Sequence, residues 1–376
     1  MRDDASRRRD FPSLAGITYL NTAAEGIPPP AVAEALARYA ADKLLGMDGR
    51  EPHGRVHTLA RRRAAELLGL TTDDVALCSS SSEAFNLAAL ALAPRDGDEV
   101  VVNDLDFPAG ATPWLQPSSR ATVRVWRHRD GRLHTEDLAR ELSARTRLVT
   151  VSLVSFYNGF LLDLAATAAV VRRHSPALVA VDVTQALGRI PLDLSAADLV
   201  VSSTHKWILA THGGGIVGVP PHRKGEWTVP AGGWFHLEDA FGPDRFARAV
   251  SRPGAAGFAV GMPNYPMAYA LEAALAYVGG IGVAAIDAHA RPLVMHCLEG
   301  LQRLPVELLS PSDPGQLAGI LAFRHPRAEA IHGVLHRAGI HVMHTAGRMR
   351  VAIHGYNTAA DVERFLAVLT EALAAV

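Results

Sequence analysis

The sequence has few cysteines, almost no net charge and no long apolar run, and each shortage argues against a class of protein. Its 376 residues contain two cysteines, Cys78 and Cys297, which lie far apart and form no CxxC pair. A disulfide framework and a zinc site of paired cysteines are therefore not expected, and we expect no metal. A formal net charge of −1 gives no basic surface that would attract nucleic acid.

No apolar run approaches the ~18 residues that a membrane-spanning helix needs. The charged start, Met1 to Asp10, has no apolar segment of the kind found in signal peptides. Hydrophobic residues make up 49% and charged residues 20% of the chain, which is ordinary for a soluble globular enzyme. We expect a cytoplasmic protein without a membrane partner.

Lysine is also scarce. Of 37 lysines and arginines, three are lysines: Lys43, Lys206 and Lys224. Arginine stays protonated, whereas a desolvated lysine amine can lose its proton and form a Schiff base. Taken alone, Lys206 fits a solvated lysine at the edge of a loop better, but the residues around it favour the chemical role.

Short apolar runs alternate with helical patterns through the first part of the chain. Runs that stop abruptly at polar residues are typical of buried parallel strands, and their alternation with helices predicts a mostly parallel α/β sheet. Seven strands are predicted, at Val75–Cys78, Glu99–Asn103, Thr122–Trp126, Leu148–Leu153, Ala177–Val181, Leu199–Ser202 and Gly215–Val219. Helices are predicted at Ala31–Leu45, Val56–Leu68, Glu83–Leu92, Thr135–Ser143 and Leu164–Arg173.

The proline- and glycine-rich region from Pro220 to Pro266 breaks this rhythm and predicts an irregular connection. Two long helices and a short α+β pattern follow, with helices at Tyr265–Val278, Val283–Leu304 and from Ala359, and strands near Leu317–Phe323 and Met349–His354. We predict an N-terminal arm with little structure of its own (residues 1–16), a large domain (17–258) and a smaller α+β C-terminal domain (259–376). The N-terminal segment is expected to join the C-terminal domain.

Ligands of parallel sheets bind at the carboxyl ends of the strands. Asp182 and Lys206 each follow an apolar run, Gln185 comes three residues after Asp182, and the glycine-rich segment Gly213–Gly218 follows Lys206. We therefore predict that Asp182 and Lys206 hold a cofactor.

Residues 203–206 (Ser-Thr-His-Lys) and 182–185 (Asp-Val-Thr-Gln) resemble motifs of the class V aminotransferase family, and the resemblance extends in the family's order from 19–24 (Tyr-Leu-Asn-Thr-Ala-Ala) to 356–358 (Tyr-Asn-Thr). This branch of the fold-type I pyridoxal 5′-phosphate (PLP) enzymes includes cysteine desulfurases, kynureninases and isopenicillin N epimerase-like proteins. The resemblance implies the PLP-dependent transferase fold, PLP as the cofactor and a homodimer with active sites at the subunit interface.

The resemblance also implies roles for single residues. Lys206 would form the Schiff base with PLP and, once a substrate displaces it, move the Cα proton. Asp182 would keep the pyridine nitrogen protonated, although a helix N-cap is its alternative. Gln185 would donate to the phenolic oxygen of the ring.

Residues 79–85, Ser-Ser-Ser-Ser-Glu-Ala-Phe, fill the place of the family's phosphate-binding turn, where free N–H groups at a helix start attract an anion. Ser81 and Ser82 take two threonine positions, and Ser203 and His205 are expected to help. Taken without the resemblance, the segment predicts a helix N-cap box, which is the alternative to phosphate binding. Phe107 takes the place of the ring-stacking residue, with a core phenylalanine as the alternative.

Arg350, six residues before Tyr356, matches the family's arginine for the substrate carboxylate, an anion that a bidentate guanidinium suits. Arg348 is the second choice, and a solvated charge is its alternative. Weaker candidates for the lining of the substrate pocket are Asn21, Asn158, Trp234, His57 and His236, and packing or a surface position is the alternative for each histidine.

Three departures from the family pattern bear on the reaction. Residues 340–350 contain no cysteine where cysteine desulfurases carry their nucleophile, so persulfide chemistry has no thiolate acceptor. Met262 stands where a threonine reaches the phosphate of a partner subunit. Phe156 stands where desulfurases have an asparagine near the ring oxygen, so a more apolar pocket is expected.

The leading hypothesis is a PLP-dependent lyase that acts on an amino acid or amino-acid conjugate by β-elimination. The favoured substrate is a cysteine S-conjugate, and natural-product biosynthesis is one setting for such a reaction. The alternatives are an aminotransferase or decarboxylation-linked deaminase, and further an amino-acid epimerase. A PLP-fold protein that binds without turnover is disfavoured because the catalytic set is complete.

Overall fold

The computed structural model describes residues 4–375 of the chain. Its strands are β1 (Thr18–Tyr19), β2 (Val75–Cys78), β3 (Glu99–Asn103), β4 (Thr122–Trp126), β5 (Thr146–Ser152), β6 (Leu178–Asp182), β7 (Leu199–Ser203), β8 (Gly215–Gly218), β9 (Glu307–Leu308), β10 (Ile320–Arg324), β11 (Ile340–His341), β12 (Met343–Thr345) and β13 (Arg348–Ala352). Its α-helices are α1 (Asp4–Asp10), α2 (Pro30–Leu44), α3 (Arg50–Leu68), α4 (Ser81–Leu92), α5 (Pro108–Ala111), α6 (Thr135–Glu141), α7 (Leu164–His174), α8 (Tyr265–Ile281), α9 (Val283–Gln302), α10 (Ala328–Arg337) and α11 (Ala359–Ala375).

Seven strands form the central sheet in the order β2-β8-β7-β6-β5-β3-β4. Only β8 runs antiparallel to its neighbours, β2 and β7. The other pairs are parallel. The predicted seven-stranded, mostly parallel sheet is therefore confirmed.

Helices cover both faces of this sheet, which explains why its strands are continuous apolar runs. Successive side chains of a strand point to opposite faces. In β6, Val179 and Val181 belong to the core that α2, α3 and α8 share. Ala180, between them, packs in the core on the other face together with α4 residues such as Phe85.

The C-terminal part contains a four-stranded antiparallel sheet in the order β12-β13-β10-β9. Its core includes residues of α9, α10 and α11, and also Leu20 from the N-terminal segment. Strand β1 pairs with β11, with Thr18 opposite Ile340. The domain boundaries stay a prediction. They assign α8 to the small domain, but α8 packs in the core of the central sheet.

The N-terminal arm differs from the expectation that it has little structure of its own. Helix α1 is followed by a 3₁₀ turn, Pro12–Leu14, and both Phe11 and Leu14 are buried. Arg7 Nε donates to the carbonyl oxygen of Tyr356 at 2.8 Å. These contacts with the far end of the chain order the segment, and residues 1–3 of the predicted arm lie outside the described residues.

Within residues 4–375 no single helix is long and apolar enough to cross a membrane. One pair, α8 with α9, meets the test of length and composition when both helices are taken together, with a bend of 72° between them.

Candidate active site

The ends of several strands meet at one edge of the central sheet. Ser152 at the end of β5 lies opposite Asp182 at the end of β6. Ser203 at the end of β7 lies opposite Gly215, the first residue of β8. Cys78 at the end of β2 also pairs with Gly215, so the turn into α4 reaches the same edge.

A cavity of about 260 Å³ opens at this edge. It is lined by Ser79, Ser80, Ser81, Ser82, Phe107, Ser152, Phe156, Asp182, Thr184, Gln185, Ser203, His205, Lys206, His212, Gly213 and Gly214. All eight residues predicted to hold the cofactor are in this set. Of the four substrate-binding candidates, Arg350, Asn21, Asn158 and Trp234, none lines the cavity.

Lys206 extends its amine into the cavity wall. Its Nζ lies 5.3 Å from the centre of the Phe107 ring. Burial lowers the pKa of the Lys206 amine, and the charge of Arg350 acts in the same direction while that of Asp182 opposes it. A lysine with a lowered pKa can act as a nucleophile and as a base.

Two carboxyl groups lie at this edge of the sheet. Asp182 Oδ1 accepts the N–H of Thr184 at 2.8 Å, and Asp106 Oδ1 accepts the N–H of Ser152 at 2.7 Å. Burial raises the pKa of both carboxyls, that of Asp106 to about 7, where the charge of Asp182 adds to the rise. A cationic ligand group beside Asp182 would therefore stabilise its ionised form.

The serine turn before α4 combines a helix cap with an open anion site. Ser80 Oγ accepts the N–H of Glu83 at 3.1 Å, and Glu83 Oε2 accepts the N–H of Ser79 at 2.6 Å. Other N–H groups of the first helical turn have no intrahelical acceptor, so they can bind an anion. Ser81 Oγ lies 3.2 Å from Ser203 Oγ, which adds two hydroxyls on the cavity side.

Phe107 is not a core residue, because 44% of it is exposed. Its ring meets the Phe156 ring edge to face, with 5.1 Å between the centroids. An exposed aromatic ring at the mouth of a cavity can stack on a flat ligand.

Gln185 is held by two neighbours. Its Nε2 donates to the carbonyl oxygen of Ala23 at 3.0 Å, and its Oε1 accepts the Trp207 indole N–H at 2.6 Å. These bonds fix the orientation of the amide and leave one N–H for a ligand.

His205 stacks on His212, with 4.5 Å between the ring centroids, and His212 Nε2 lies 3.0 Å from Glu25 Oε1. Burial, with the charges of Lys206 and His212, lowers the pKa of His205 to about 4, so His205 is neutral at physiological pH. The three groups have ligand atoms within 4.8 Å of one another. Neither His212 nor Glu25 is predicted from the sequence, although His212 directly precedes the glycine-rich segment.

Arg348 and Arg350 lie beside the cavity and are both buried, at 6% and 4% exposure. Arg350 Nη1 donates to the carbonyl oxygen of Phe156 at 2.9 Å. Burial lowers the pKa of Arg350 to about 10, and the charge of Arg348 adds to this. The alternative interpretation of Arg348 as a solvated charge is wrong.

Asn158 requires a correction, because its amide is used by the backbone. Its Nδ2 donates to the carbonyl oxygens of Gly131 and Leu309 at 2.7 and 3.2 Å, and its Oδ1 accepts the N–H of Phe160 at 3.1 Å. The side chain stabilises the loop after β5 instead of lining the cavity.

The remaining weaker candidates also lie outside the cavity. Trp234 contacts Phe235 and Phe241, and Asn21 Oδ1 is buried without a partner among the described residues. His57 lines a neighbouring cavity, and burial together with the charge of Arg61 lowers its pKa to about 4. The buried His236 shares a hydrogen bond with the Ala231 carbonyl oxygen at 3.0 Å, which is a packing role.

The family model for aminotransferase class V matches residues 18–365. The chain belongs to the class V aminotransferase family. A probable cysteine desulfurase of Pyrococcus abyssi is 25% identical over 403 residues, covering 99% of this chain and 98% of the relative. An uncharacterized aminotransferase of Bacillus subtilis is 29% identical over 355 residues, or 93% of each chain.

Solved structures agree with this family assignment. The cystine C–S lyase C-DES, in complex with its reaction product cysteine persulfide, matches with a TM-score of 0.85 and 25% identity, over 96% of this chain and 99% of that chain. The apo cysteine desulfurase of Thermococcus onnurineus NA1 has the same fold, with a TM-score of 0.89 at 22% identity over 100% and 99% of the two chains. The protein is therefore a fold-type I, PLP-dependent class V aminotransferase family enzyme that acts on amino acids, as predicted.

The donor set of the cavity fits PLP. In this member of the class V aminotransferase family, Lys206 would hold the aldehyde, Asp182 the pyridine nitrogen and Gln185 the phenolic oxygen. Phe107 would stack on the ring, and the phosphate would be bound by Ser81, Ser82, Ser203 and His205. When bound, PLP withdraws electrons from the Cα atom of an amino acid attached to it. The role of each of these residues toward PLP stays a prediction.

Proposed function

We propose that this enzyme is a C–S lyase that removes the sulfur substituent of a cysteine S-conjugate by β-elimination. The observation that carries the proposal is that neither cysteine of the chain can accept sulfur. Cys78 and Cys297 are both buried, and burial raises the pKa of each thiol to about 12. Without a thiolate at the cavity, the substrate sulfur leaves as a free thiol.

The residues beside the cavity suit the elimination. The Lys206 amine takes the proton from Cα, and the electron pair of that C–H bond forms the Cα–Cβ double bond while the Cβ–S bond breaks. The sulfur leaves with the bonding pair as a thiolate and takes up a proton from solvent. The three-carbon fragment is released and hydrolysed to pyruvate and ammonia, and Arg350 binds the α-carboxylate throughout.

A similar protein supports this choice. C-DES, 25% identical to this chain, is a cystine C–S lyase whose product is cysteine persulfide. The exposed Phe107 ring and its neighbour Phe156 make the entrance apolar, which suits a substituted sulfur better than the free thiol of cysteine.

The proposal is tested by incubating the PLP-loaded enzyme with cysteine S-conjugates, kynurenine, cysteine and common amino acids. Free thiol and pyruvate in equal amounts are expected from the S-conjugates. The exposed Lys43 provides a control, because Lys43→Ala should retain the activity that Lys206→Ala loses. Alanine and sulfur from cysteine, without pyruvate, would instead indicate desulfurase activity and refute the lyase.

Transamination is the second candidate, because the relative from Bacillus subtilis is named an aminotransferase. A keto acid together with conversion of the cofactor to its amine form, and no free thiol, would favour it over the lyase. Release of carbon dioxide would indicate decarboxylation-linked deamination, and inversion of a chiral amino acid would indicate an epimerase.

A further inference from the structure

Strand β13 carries two buried cations that have no acidic partner in the described part of the chain. Arg348 and Arg350 lie two residues apart and so point to the same face of the strand. Within residues 4–375 their hydrogen bonds go only to main-chain carbonyl oxygens, those of Phe156 and Tyr157. A buried charge is normally paired, because taking it out of water without compensation is costly. One carboxylate, that of the bound amino acid, would compensate only one of the two.

Both guanidinium groups converge on the loop that lines the cavity. Arg350 Nη1 lies 2.9 Å and Arg348 Nη1 lies 3.4 Å from the same oxygen, the carbonyl of Phe156. Arg348 Cζ lies 5.4 Å from the centre of the Phe156 ring, and this ring contacts Phe107 in the cavity wall. The two cations are therefore neighbours at one side of the entrance.

The two guanidinium groups have different neighbours besides the Phe156 carbonyl. The charge of Arg350 contributes to the lowered pKa of Lys206. Arg348 Cζ also lies 4.4 Å from the centre of the Tyr157 ring. The exposed Arg324 donates to the Tyr157 hydroxyl at 3.0 Å and pairs with Glu307 at 3.6 Å. Among the described residues of this group, the positive charge without an acidic partner therefore lies at Arg350 and Arg348, beside the cavity.

We propose that Arg348 binds a second acidic group of the substrate, so that the preferred substrate is a cysteine S-conjugate whose sulfur substituent ends in a carboxylate. This inference rests on the proposed function and specifies its substrate class. Arg350 takes the α-carboxylate, and the sulfur substituent points toward Arg348. The Nε and Nη2 atoms of Arg348 have no acceptor among the described residues, so they can form a bidentate pair with a carboxylate.

The test compares two ligands of equal size, S-(2-carboxyethyl)cysteine and its neutral amide, S-(2-carbamoylethyl)cysteine. The PLP-loaded enzyme is titrated with each, and binding is followed by the visible absorption of the cofactor, so that no turnover is needed. We expect the wild-type enzyme to bind the acid at least ~10-fold more tightly than the amide, since charge-assisted hydrogen bonds are roughly twice as strong as neutral ones. The preference should shrink as salt is added.

Arg348→Gln should remove the preference by weakening the acid alone, and Arg348→Lys should keep part of it. The matched control is Arg303→Gln, because Arg303 is a surface arginine paired with Glu299 at 3.8 Å, and it should leave both dissociation constants unchanged. When turnover is measured, Arg348→Gln should raise KM for the acid more than it lowers kcat.

Equal binding of acid and amide by the wild-type enzyme, or no binding of the acid at all, overturns the proposal without need of a variant. Equal weakening of both ligands in Arg348→Gln also overturns it, because Arg348 would then only brace the Phe156–Tyr157 loop. A preserved preference for the acid without release of thiol would refute the lyase but leave the acidic subsite standing.

Discussion

At Lys206, burial and a neighbouring guanidinium both lower the pKa of the amine, whereas Lys43 is exposed on the last turn of α2. We expect Lys206→Ala to lose the visible absorption of the lysine-bound cofactor and at least ~100-fold of the activity, the usual contribution of a positioned base. Absorbance spectra and thiol release measure both effects, with Lys43→Ala as the control. An unchanged spectrum in Lys206→Ala would exclude Lys206 as the residue that binds the cofactor.

The ionisation of Asp106 should make the stability of the folded protein depend on pH. Its pKa is raised by burial from 3.8 to about 7 in the folded protein, so the unfolded chain ionises this carboxyl first as the pH rises. The contribution of Asp106 to stability should therefore fall between pH 3.8 and about 7, at up to about 1.4 kcal/mol per pKa unit, and stay level above that range.

Asp106→Asn keeps the acceptor for the Ser152 N–H but cannot ionise. We expect the melting temperature of the variant minus that of the wild type to increase through the same pH range. A difference that stays constant with pH would show that Asp106 titrates near its ordinary value.

Single residues also show which side-chain roles the sequence can reveal. Lys206, Asp182 and Gln185 line the cavity, and the sequence indicates this place because Asp182 ends a strand and the other two residues lie three residues after the end of a strand. The burial of Arg348 and the backbone role of Asn158 were not predicted, because their surroundings depend on contacts distant in sequence. Arg348 is covered by Tyr157, and Asn158 bonds to carbonyl groups of Gly131 and Leu309.

At the scale of elements, the start of α4 contributes to both stability and phosphate binding. Ser80 caps α4, and Asp163 caps α7 in the same way through the N–H of Ala166 at 2.9 Å. Replacing either residue by alanine should lower the free energy of unfolding by about 1 kcal/mol. Of these two helices, only α4 begins at the cavity, so we expect Ser80→Ala but not Asp163→Ala to speed the loss of PLP.

Urea unfolding of the cofactor-free variants and the rate of PLP release during dialysis measure these two effects. Similar PLP retention in Ser80→Ala and Asp163→Ala would show that the start of α4 does not hold the phosphate.

The predictability of whole elements follows from where their stability originates. Strands β2 and β3 match their predicted bounds because every residue of each strand is buried. Strand β4, at the edge of the sheet, also matches, because its apolar residues alternate with polar ones as in a half-buried strand. Helix α1 has the charged sequence Asp-Ala-Ser-Arg-Arg-Arg-Asp and no apolar period. It is stabilised by tertiary contacts such as Arg7 with Tyr356, which local sequence does not encode.

At the scale of the whole molecule, we propose a homodimer. Large apolar side chains are exposed at the end of α2 and in the turn that follows it, where Leu44 is 88%, Leu45 58% and Met47 72% exposed. Such a group of apolar side chains is typical of an interface. Light scattering should give twice the chain mass of 40.1 kDa.

The double variant Leu44→Asp, Met47→Asp should shift the protein toward the monomer, while Leu115→Asp, at another exposed leucine, should not. A wild-type chain that is monomeric at all concentrations would refute the homodimer.

The position of β8 in the sheet dictates when the active site can form during synthesis. Strand β2, which leads to the serine turn, pairs with β8 and no other strand of the sheet. Its partner residues, 215–218, emerge from the ribosome some hundred and forty residues later. Pairing between strands so far apart in sequence is slow. A nascent chain that does not yet include β8 exposes β2 without its partner strand, and such a chain is prone to aggregate. The enzyme should therefore depend on chaperones until β8 is made, and it should take up PLP only afterwards.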